Sequence, residues 1–293
     1  MRVPLTYKLP KVPEPLDFDW LAEDRDWPTL ELTIAPEEVA RWCDLYEDHH
    51  PWYSGSSPWG GPVAPNSIFY YAGQNAFPPR RDFNGVLAAI GFEALGPIFV
   101  GHRLTARTTI VDRWRRRDRA FVAYRLDIRD DDTPVAVATR TWAFIARGDA
   151  VERLPERPSR PPDEEPPALE LLEPVSLELT LERMRAFEGP GEENGHTSLE
   201  LARRNGHPAP LAQGALIISP ICRMMLARFG AGWQVGGSLD CKILRSSFAG
   251  ETVTARGAVV EESAERAVCR VRVENQRGEA TVIGTATARI APS

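Results

Sequence analysis

The sequence predicts an α+β fold made of two copies of one unit, each an antiparallel sheet wrapped around a central helix. Three observations carry that expectation. The run Phe99-Val100-Gly101-His102-Arg103-Leu104-Thr105-Ala106-Arg107 returns 149 residues later as Phe248-Ala249-Gly250-Glu251-Thr252-Val253-Thr254-Ala255-Arg256, and Gly61-Pro62-Val63-Ala64-Pro65 is echoed 148 residues later by Ala209-Pro210-Leu211-Ala212-Gln213. Two echoes in one order at nearly one offset mark a duplicated unit. Between the copies, residues 149–174 are rich in proline and charge, which removes backbone donors and favours an extended linker. Finally, each copy has an apolar helix-like stretch followed by segments that alternate in the manner of strands.

The elements follow in order. In the first copy, residues 1–148, a central helix is expected over Ala64–Gln74, and strands near Gly85–Ala94, Arg103–Trp114, Arg119–Arg129 and Val135–Ala146. In the second, residues 175–293, a short helix is expected over Glu178–Ala186, with Thr180 as N-cap and Arg183 on its polar side. Gly214–Phe229 is apolar nearly all round and reads as a buried helix that Pro220 kinks. Sheet must surround it. Gly237–Ser246, Glu251–Glu262, Arg266–Asn275 and Ala280–Ala291 supply it, with alternation as clear as Val268-Cys269-Arg270-Val271-Arg272-Val273.

Composition narrows the function. The 293 residues are 43% hydrophobic, enough for two cores of ordinary size. A net charge of -6 and a pI near 5.5 speak against a nucleic-acid surface and for a small-molecule or protein partner. Cys43, Cys222, Cys241 and Cys269 show neither CxxC spacing nor a dense pattern, so buried reduced thiols in a cytoplasmic protein are expected and no zinc or other metal site. Met1–Pro15 carries Pro4, Pro10, Pro13 and Pro15 without an apolar core, so no secretory signal is expected, and no run of ~18 apolar residues predicts a membrane span.

The chemistry centres on His196. It stands one short helical stretch before Gly214, which opens the apolar helix, so an imidazole base can face backbone N–H groups able to hold a developing oxyanion. That pairing suits proton transfer beside a carbonyl. The run His196-Thr197-Ser198-Leu199-Glu200-Leu201-Ala202-Arg203-Arg204-Asn205-Gly206, followed by Pro210-Leu211-Ala212-Gln213-Gly214, resembles the MaoC-like (R)-specific enoyl-thioester hydratases and dehydratases, also called hydratase 2. Their signature is Gly-Asp-x-Asn-Pro-aliphatic-His, a short helix ending Ala-x-x-x-Gly, and a Pro-aliphatic-Ala-His/Gln-Gly turn. Upstream, Gly191-Glu192-Glu193-Asn194-Gly195-His196 is one residue shorter than the signature, with Glu for Asp and Gly for Pro.

The resemblance implies a double hotdog over about Pro28 to Ile290. It implies hydration of a 2-enoyl thioester, or dehydration of an (R)-3-hydroxyacyl thioester, carried on coenzyme A or an acyl carrier protein, with no cofactor beyond that substrate. His196 would be the acid/base, Glu192 or Glu193 its carboxylate partner with Glu192 slightly favoured, and Asn194 a member of the same loop. Gly214 would be the oxyanion donor, with Gln213 and Ala212 beside it. A hotdog thioesterase, or a binding subunit without catalysis, is the alternative. A homodimer is compatible with either.

In the first copy, Asp48-His49-His50-Pro51-Trp52-Tyr53 is a decayed form of the motif, with Tyr53 in the histidine position, which fits a half that makes room for the acyl chain. His49 and His50 are adjacent without a third ligand and are expected in a loop role. His207 is expected to pack. Trp114-Arg115-Arg116-Arg117-Asp118-Arg119 is expected as a solvated hairpin turn, with Arg203, Arg204 and Arg245 as further candidates to meet phosphate. No dinucleotide fingerprint, phosphate loop or Gly-x-Ser-x-Gly elbow occurs.

Overall fold

Alternation builds the sheet. The computed structural model describes residues 29–68, 85–145, 152, 154–157 and 166–290. In the first half lie β1 (Leu30–Thr33), β2 (Gly85–Ala94), β3 (Arg103–Arg116), β4 (Arg119–Asp130) and β5 (Thr133–Ile145). On β4 Ala120, Val122, Tyr124, Leu126 and Ile128 are buried while Arg119, Arg125 and Asp127 face outward or lie at the margin. Val122, Leu126 and Ile128 are each worth about 1.5–3 kcal/mol when buried, so a one-residue slip would put the whole set in water, and the register is held by the inner face. The second half repeats the pattern with β6 (Glu170–Leu171), β7 (Val175–Glu178), β8 (Ser238–Ile243), β9 (Thr252–Glu262), β10 (Arg266–Asn275) and β11 (Ala280–Arg289).

The duplication is visible in the pairing. Strand order in the first half is β1-β3-β4-β5-β2, and in the second β7-β9-β10-β11-β8, every pair antiparallel. The equivalent strands β2 and β8 then pair with each other, Ile90 opposite Cys241 and Gly91 opposite Asp240. Among the described residues the two expected sheets are therefore one sheet of 11 strands. Two open edges with unpaired N–H and C=O groups satisfy each other at the seam. Glycine permits this closeness. At the seam a Cβ at Gly91 would meet Leu239 O at 2.8 Å, and on the other side of β8 one at Gly284 of β11 would meet the Asp240 carbonyl oxygen at 2.2 Å and Cys241 Sγ at 2.7 Å.

Helices α1 (Pro36–Tyr46), α2 (Leu181–Glu188), α3 (Leu199–Arg204), α4 (Gly214–Phe229) and α5 (Ala231–Gln234) complete the described elements, with a 3₁₀ turn at Pro51–Tyr53. Helix α4 packs on β7, β9, β10 and β11, with 12 of its 16 residues buried, as a central helix must be. Pro220 lies inside it and cannot donate to the Leu216 carbonyl; the Ser219 hydroxyl does so instead, at 3.2 Å. Most of the matching helix expected in the first half, at Ala64–Gln74, lies outside the described residues.

Helices α1 and α2 were displaced or unforeseen in the sequence, yet they tie the halves together. Arg41 of α1 donates to the last carbonyls of α2, Ala186 O at 3.2 Å and Phe187 O at 3.5 Å. Arg183 of α2 returns the contact to Leu45 O at 2.5 Å and pairs with Glu47. Each arginine thus meets the negative end of the other helix dipole. Thr180 caps α2 as expected, accepting from the Arg183 N–H at 3.0 Å. The proline-rich linker is pinned at both ends. Arg115 and Glu156 form a parallel bridge, and Leu169 and Leu172 donate to Val259 O and Gly257 O.

Two predictions follow from this packing. Gly284→Ala should cost about 1–3 kcal/mol, the usual scale of overpacking, read as a lowered denaturant midpoint; an unchanged midpoint would show that the β8–β11 pair relaxes freely. All four thiols are buried, and burial pushes Cys43, Cys241 and Cys269 up to about 12. Native protein should therefore label slowly with a thiol reagent and all four groups should react on unfolding, whereas rapid native labelling would contradict the burial.

Candidate active site

The site is built around Pro210–Gln213, an extended stretch held on both sides. On one side Ala212 N–H donates to Ser247 O at 2.8 Å and Ala249 N–H to Pro210 O at 2.9 Å, with Leu211 bridged to Phe248. On the other, Leu211 N–H donates to Gly195 O at 3.0 Å, and the Leu211 carbonyl meets His196 Nδ1 at 2.6 Å. A carbonyl can only accept, so Nδ1 carries the ring proton and the Nε2 lone pair of the neutral imidazole is left to act as a base. Among the described residues the ring makes no other hydrogen bond.

The chain turns into α4 two residues after Leu211. Gln213 is its N-cap but gives it no side-chain cap, and the Gln213 carbonyl takes the N–H groups of Leu216 and Ile217. The Gly214 and Ala215 N–H groups therefore meet no acceptor among the described residues, and they sit where the helix dipole is positive. His196 and the helix terminus are thus carried by one four-residue stretch. The arrangement can move a proton and hold negative charge on an oxygen.

The loop before His196 is held by its own polar groups. Asn194 Oδ1 accepts the His196 backbone N–H at 2.8 Å, and Thr197 Oγ1 accepts the Asn194 N–H at 2.9 Å while donating to Glu192 O at 2.8 Å. Asn194, His196, Ala212, Gln213 and Gly214 are therefore brought together. Glu192 is half-buried and Glu193 exposed, and neither carboxylate hydrogen-bonds the imidazole. Helix α3 follows, with Ser198 as its N-cap. His207 lies 6.2 Å from the Phe248 ring, a packing position.

One carboxylate at the site went unread in the sequence. Glu188, the last residue of α2, is 8% exposed; its Oε2 accepts from Asn194 Nδ2 at 2.8 Å and its Oε1 from Gln213 Nε2 at 3.0 Å. Gln213 Nε2 also donates to Met184 O at 3.0 Å. The signal available was weak. A glutamate opposes the dipole at a helix C-terminus, so its presence there asks for another partner.

The first half shows the same backbone with different side chains. Val63 N–H donates to Trp52 O at 2.9 Å and Ala64 N–H to Ile98 O at 2.8 Å, matching Leu211 with Gly195 and Ala212 with Ser247. Trp52 thus stands where Gly195 does, and Tyr53, the residue after it, occupies the position of His196. Tyr53 is buried and donates to Asp48 Oδ2 at 3.2 Å. His50 serves its loop, its ring accepting the Trp52 N–H at 3.3 Å. Among the described residues no group of three or more His, Cys, Asp or Glu side chains could hold a metal ion, and no helix is long and apolar enough to cross a membrane.

The basic hairpin joins β3 to β4, with Arg117 at a φ of 55° in the turn. Arg115 pairs with Glu156 at 3.0 Å and Arg157 with Asp112 at 2.5 Å. Arg204 pairs with Glu200 at 2.9 Å and Arg245 with Glu279 at 3.7 Å. These are surface pairs, each worth little.

Burial raises the Asp48 carboxyl above its ordinary range, while the Tyr53 hydroxyl and the Arg223 guanidinium pull it back. A carboxyl raised in the folded state contributes stability that is full below its unfolded pKa of about 4 and is lost as pH climbs through the folded value. Asp48→Asn, which can still accept from Tyr53, should melt higher than wild type at neutral pH, with the gain shrinking toward pH ~4. A melting difference independent of pH would contradict this account of Asp48.

No family model matches the sequence, and no curated protein matches it. Solved structures do. A MaoC-like dehydratase superposes with a TM-score of 0.73 at 15% identity, over 92% of this chain and 99% of its own. A MaoC-like dehydratase from Phytophthora capsici gives 0.70 at 15% identity, over 95% and 100%. A conserved hypothetical protein from Mycobacterium tuberculosis, described as having a double hotdog fold, gives 0.64 at 14% identity, over 93% and 98%. At such identities the likeness is one of architecture: over nearly its whole length the chain superposes on MaoC-like dehydratases and on a protein with a double hotdog fold, and it shares that hotdog architecture.

Proposed function

We propose that the second half adds water across the 2,3-double bond of a 2-enoyl thioester, or removes it from the corresponding 3-hydroxyacyl thioester, with the (R) configuration implied by the motif. The observation that carries this reading is the placement of a singly committed imidazole and an uncapped helix N-terminus on one stretch, Leu211 to Gly214. The dehydratase names of the superposable structures support it.

The steps follow from that geometry. His196 Nε2 takes a proton from water as the water oxygen bonds to C3. The 2,3 π-electrons move toward the thioester, and the enolate oxygen is held by the Gly214 N–H at the positive end of α4. Protonation at C2 completes the addition, and dehydration runs the same steps backward. Glu192, with Glu193 as the other candidate on its loop, would hold the water and relay the proton from His196 to C2, while Asn194 would keep that loop in place. Ala212 and Gln213 set the path of the chain at the oxyanion. Tyr53, closed on Asp48, leaves the first half to the acyl chain. The thioester handle would be coenzyme A or a carrier protein.

Short and medium enoyl-coenzyme A substrates, followed at once for loss of the conjugated double bond and release of thiol, test the proposal. Hydration without thiol release is expected, and His196→Ala should lower it by about 10²-fold or more while the protein stays folded. Tyr53→Phe should stay near wild type. Thiol release without hydration would favour a thioesterase, and no reaction at any chain length a binding subunit.

A further inference from the structure

Among the described residues, the Glu188 carboxylate is the one side chain bonded to both Asn194 and Gln213. Its Oε2 takes Asn194 Nδ2, whose other end holds the His196 backbone N–H, and its Oε1 takes Gln213 Nε2, the residue before Gly214. Both partners present N–H₂ groups, so this point demands an acceptor on each side, which an ionised carboxylate provides and an amide does not. Neither partner can turn round to suit an amide. If Asn194 flipped, its N–H₂ would face the His196 N–H; if Gln213 flipped, its oxygen would face Met184 O. The bracket is also nearly dry, with Glu188 8% and Gln213 1% exposed, so water does not readily substitute.

The first half supplies an internal comparison. Ile34 and Leu179 make matching bonds: Ile34 N–H to His102 O and Gly101 N–H to Ile34 O, against Leu179 N–H to Glu251 O and Gly250 N–H to Leu179 O. Helices α1 and α2 begin two residues later in each case, so the eighth residue of each helix is Cys43 and Glu188 respectively. By the Ala64 and Ala212 match, Pro65 stands where Gln213 does. The half with Tyr53 in place of histidine has thus neither the carboxylate nor the amide of the bracket.

We infer that Glu188 is a positioning residue: it sets the distance between His196 and the N-terminus of α4 by bridging Asn194 and Gln213. This rests on the hydratase reading only for its catalytic consequence. Because a shift of about 1 Å at such a site can cost about 10²-fold, Glu188→Gln, which must break one arm, should lower kcat by that order with KM little changed.

The test adds a readout independent of turnover, the imidazole ¹H–¹⁵N signals of ¹⁵N-histidine protein, with His196 assigned by its loss in His196→Ala. Wild type should show a slowly exchanging His196 Nδ1–H, bonded to Leu211 O. Glu188→Gln, and Glu188→Asp as the shorter carboxylate that reaches one arm, should lose it while circular dichroism stays native. Cys43→Ala, the equivalent change in the first half, should keep it. An unmoved Nδ1–H signal overturns the inference, as does an unmoved kcat in an active enzyme, or loss of fold in both Glu188 variants. Should wild type hydrate nothing, the hydratase reading fails and the imidazole signal alone decides the role of Glu188.

Discussion

The placement of every site group depends on how the backbone of the half-buried Leu211 is satisfied. Between buried Pro210 and Ala212, Leu211 finds both of its backbone partners in one short loop: its N–H goes to Gly195 O and its carbonyl takes His196 Nδ1. With Ala212 tied to Ser247 on the other side, the stretch has no freedom to slide. The same bond that completes the backbone fixes the histidine tautomer and aims Nε2 away from Leu211. Three residues on, Gly214 opens α4 with its N–H uncommitted among the described residues. Structure and candidate chemistry are thus set by one hydrogen-bonded ladder.

Duplication made that ladder available twice, and the halves differ in what they hang on it. In the first, Tyr53 and Asp48 satisfy each other in the interior, and burial beside that carboxylate pushes the Tyr53 hydroxyl well above the usual phenol range, so it is a poor base at neutral pH. In the second, the imidazole is held through one nitrogen only, and a carboxylate stands behind both arms of the site. The seam between β2 and β8 lets the halves diverge in side chains while sharing one sheet. Its close approach at Gly91, with the reciprocal arginines of α1 and α2, keeps their relative placement tight.

Strands were the most legible part of the sequence because each has a buried and an exposed face. Gly85–Ala94 and Arg266–Asn275 match β2 and β10 to the residue, and Gly214–Phe229 matches α4. The short N-terminal strand β1 and helix α1 went unread, since four residues and a run broken by charge carry little periodicity. The joining of the two sheets into one, a backbone event with little side-chain signature, was to be expected only from the family resemblance, in which two hotdogs pair their sheets edge to edge. At the site, the motif located His196 and Gly214, but the bond from His196 to Leu211 ends on a carbonyl, which no residue type betrays. Glu188 was invisible because its partners are six and 25 residues away and its helix ends differently in the two copies.

A structure with a bound, non-reactive enoyl-thioester analogue tests the central claim most directly. The account predicts the thioester carbonyl oxygen within hydrogen-bonding distance of the Gly214 N–H and C3 of the acyl chain facing His196 Nε2, with the chain running toward the first half. An analogue whose carbonyl lies away from the α4 N-terminus, or whose acyl carbons approach Tyr53 and Asp48 in place of His196, would contradict it.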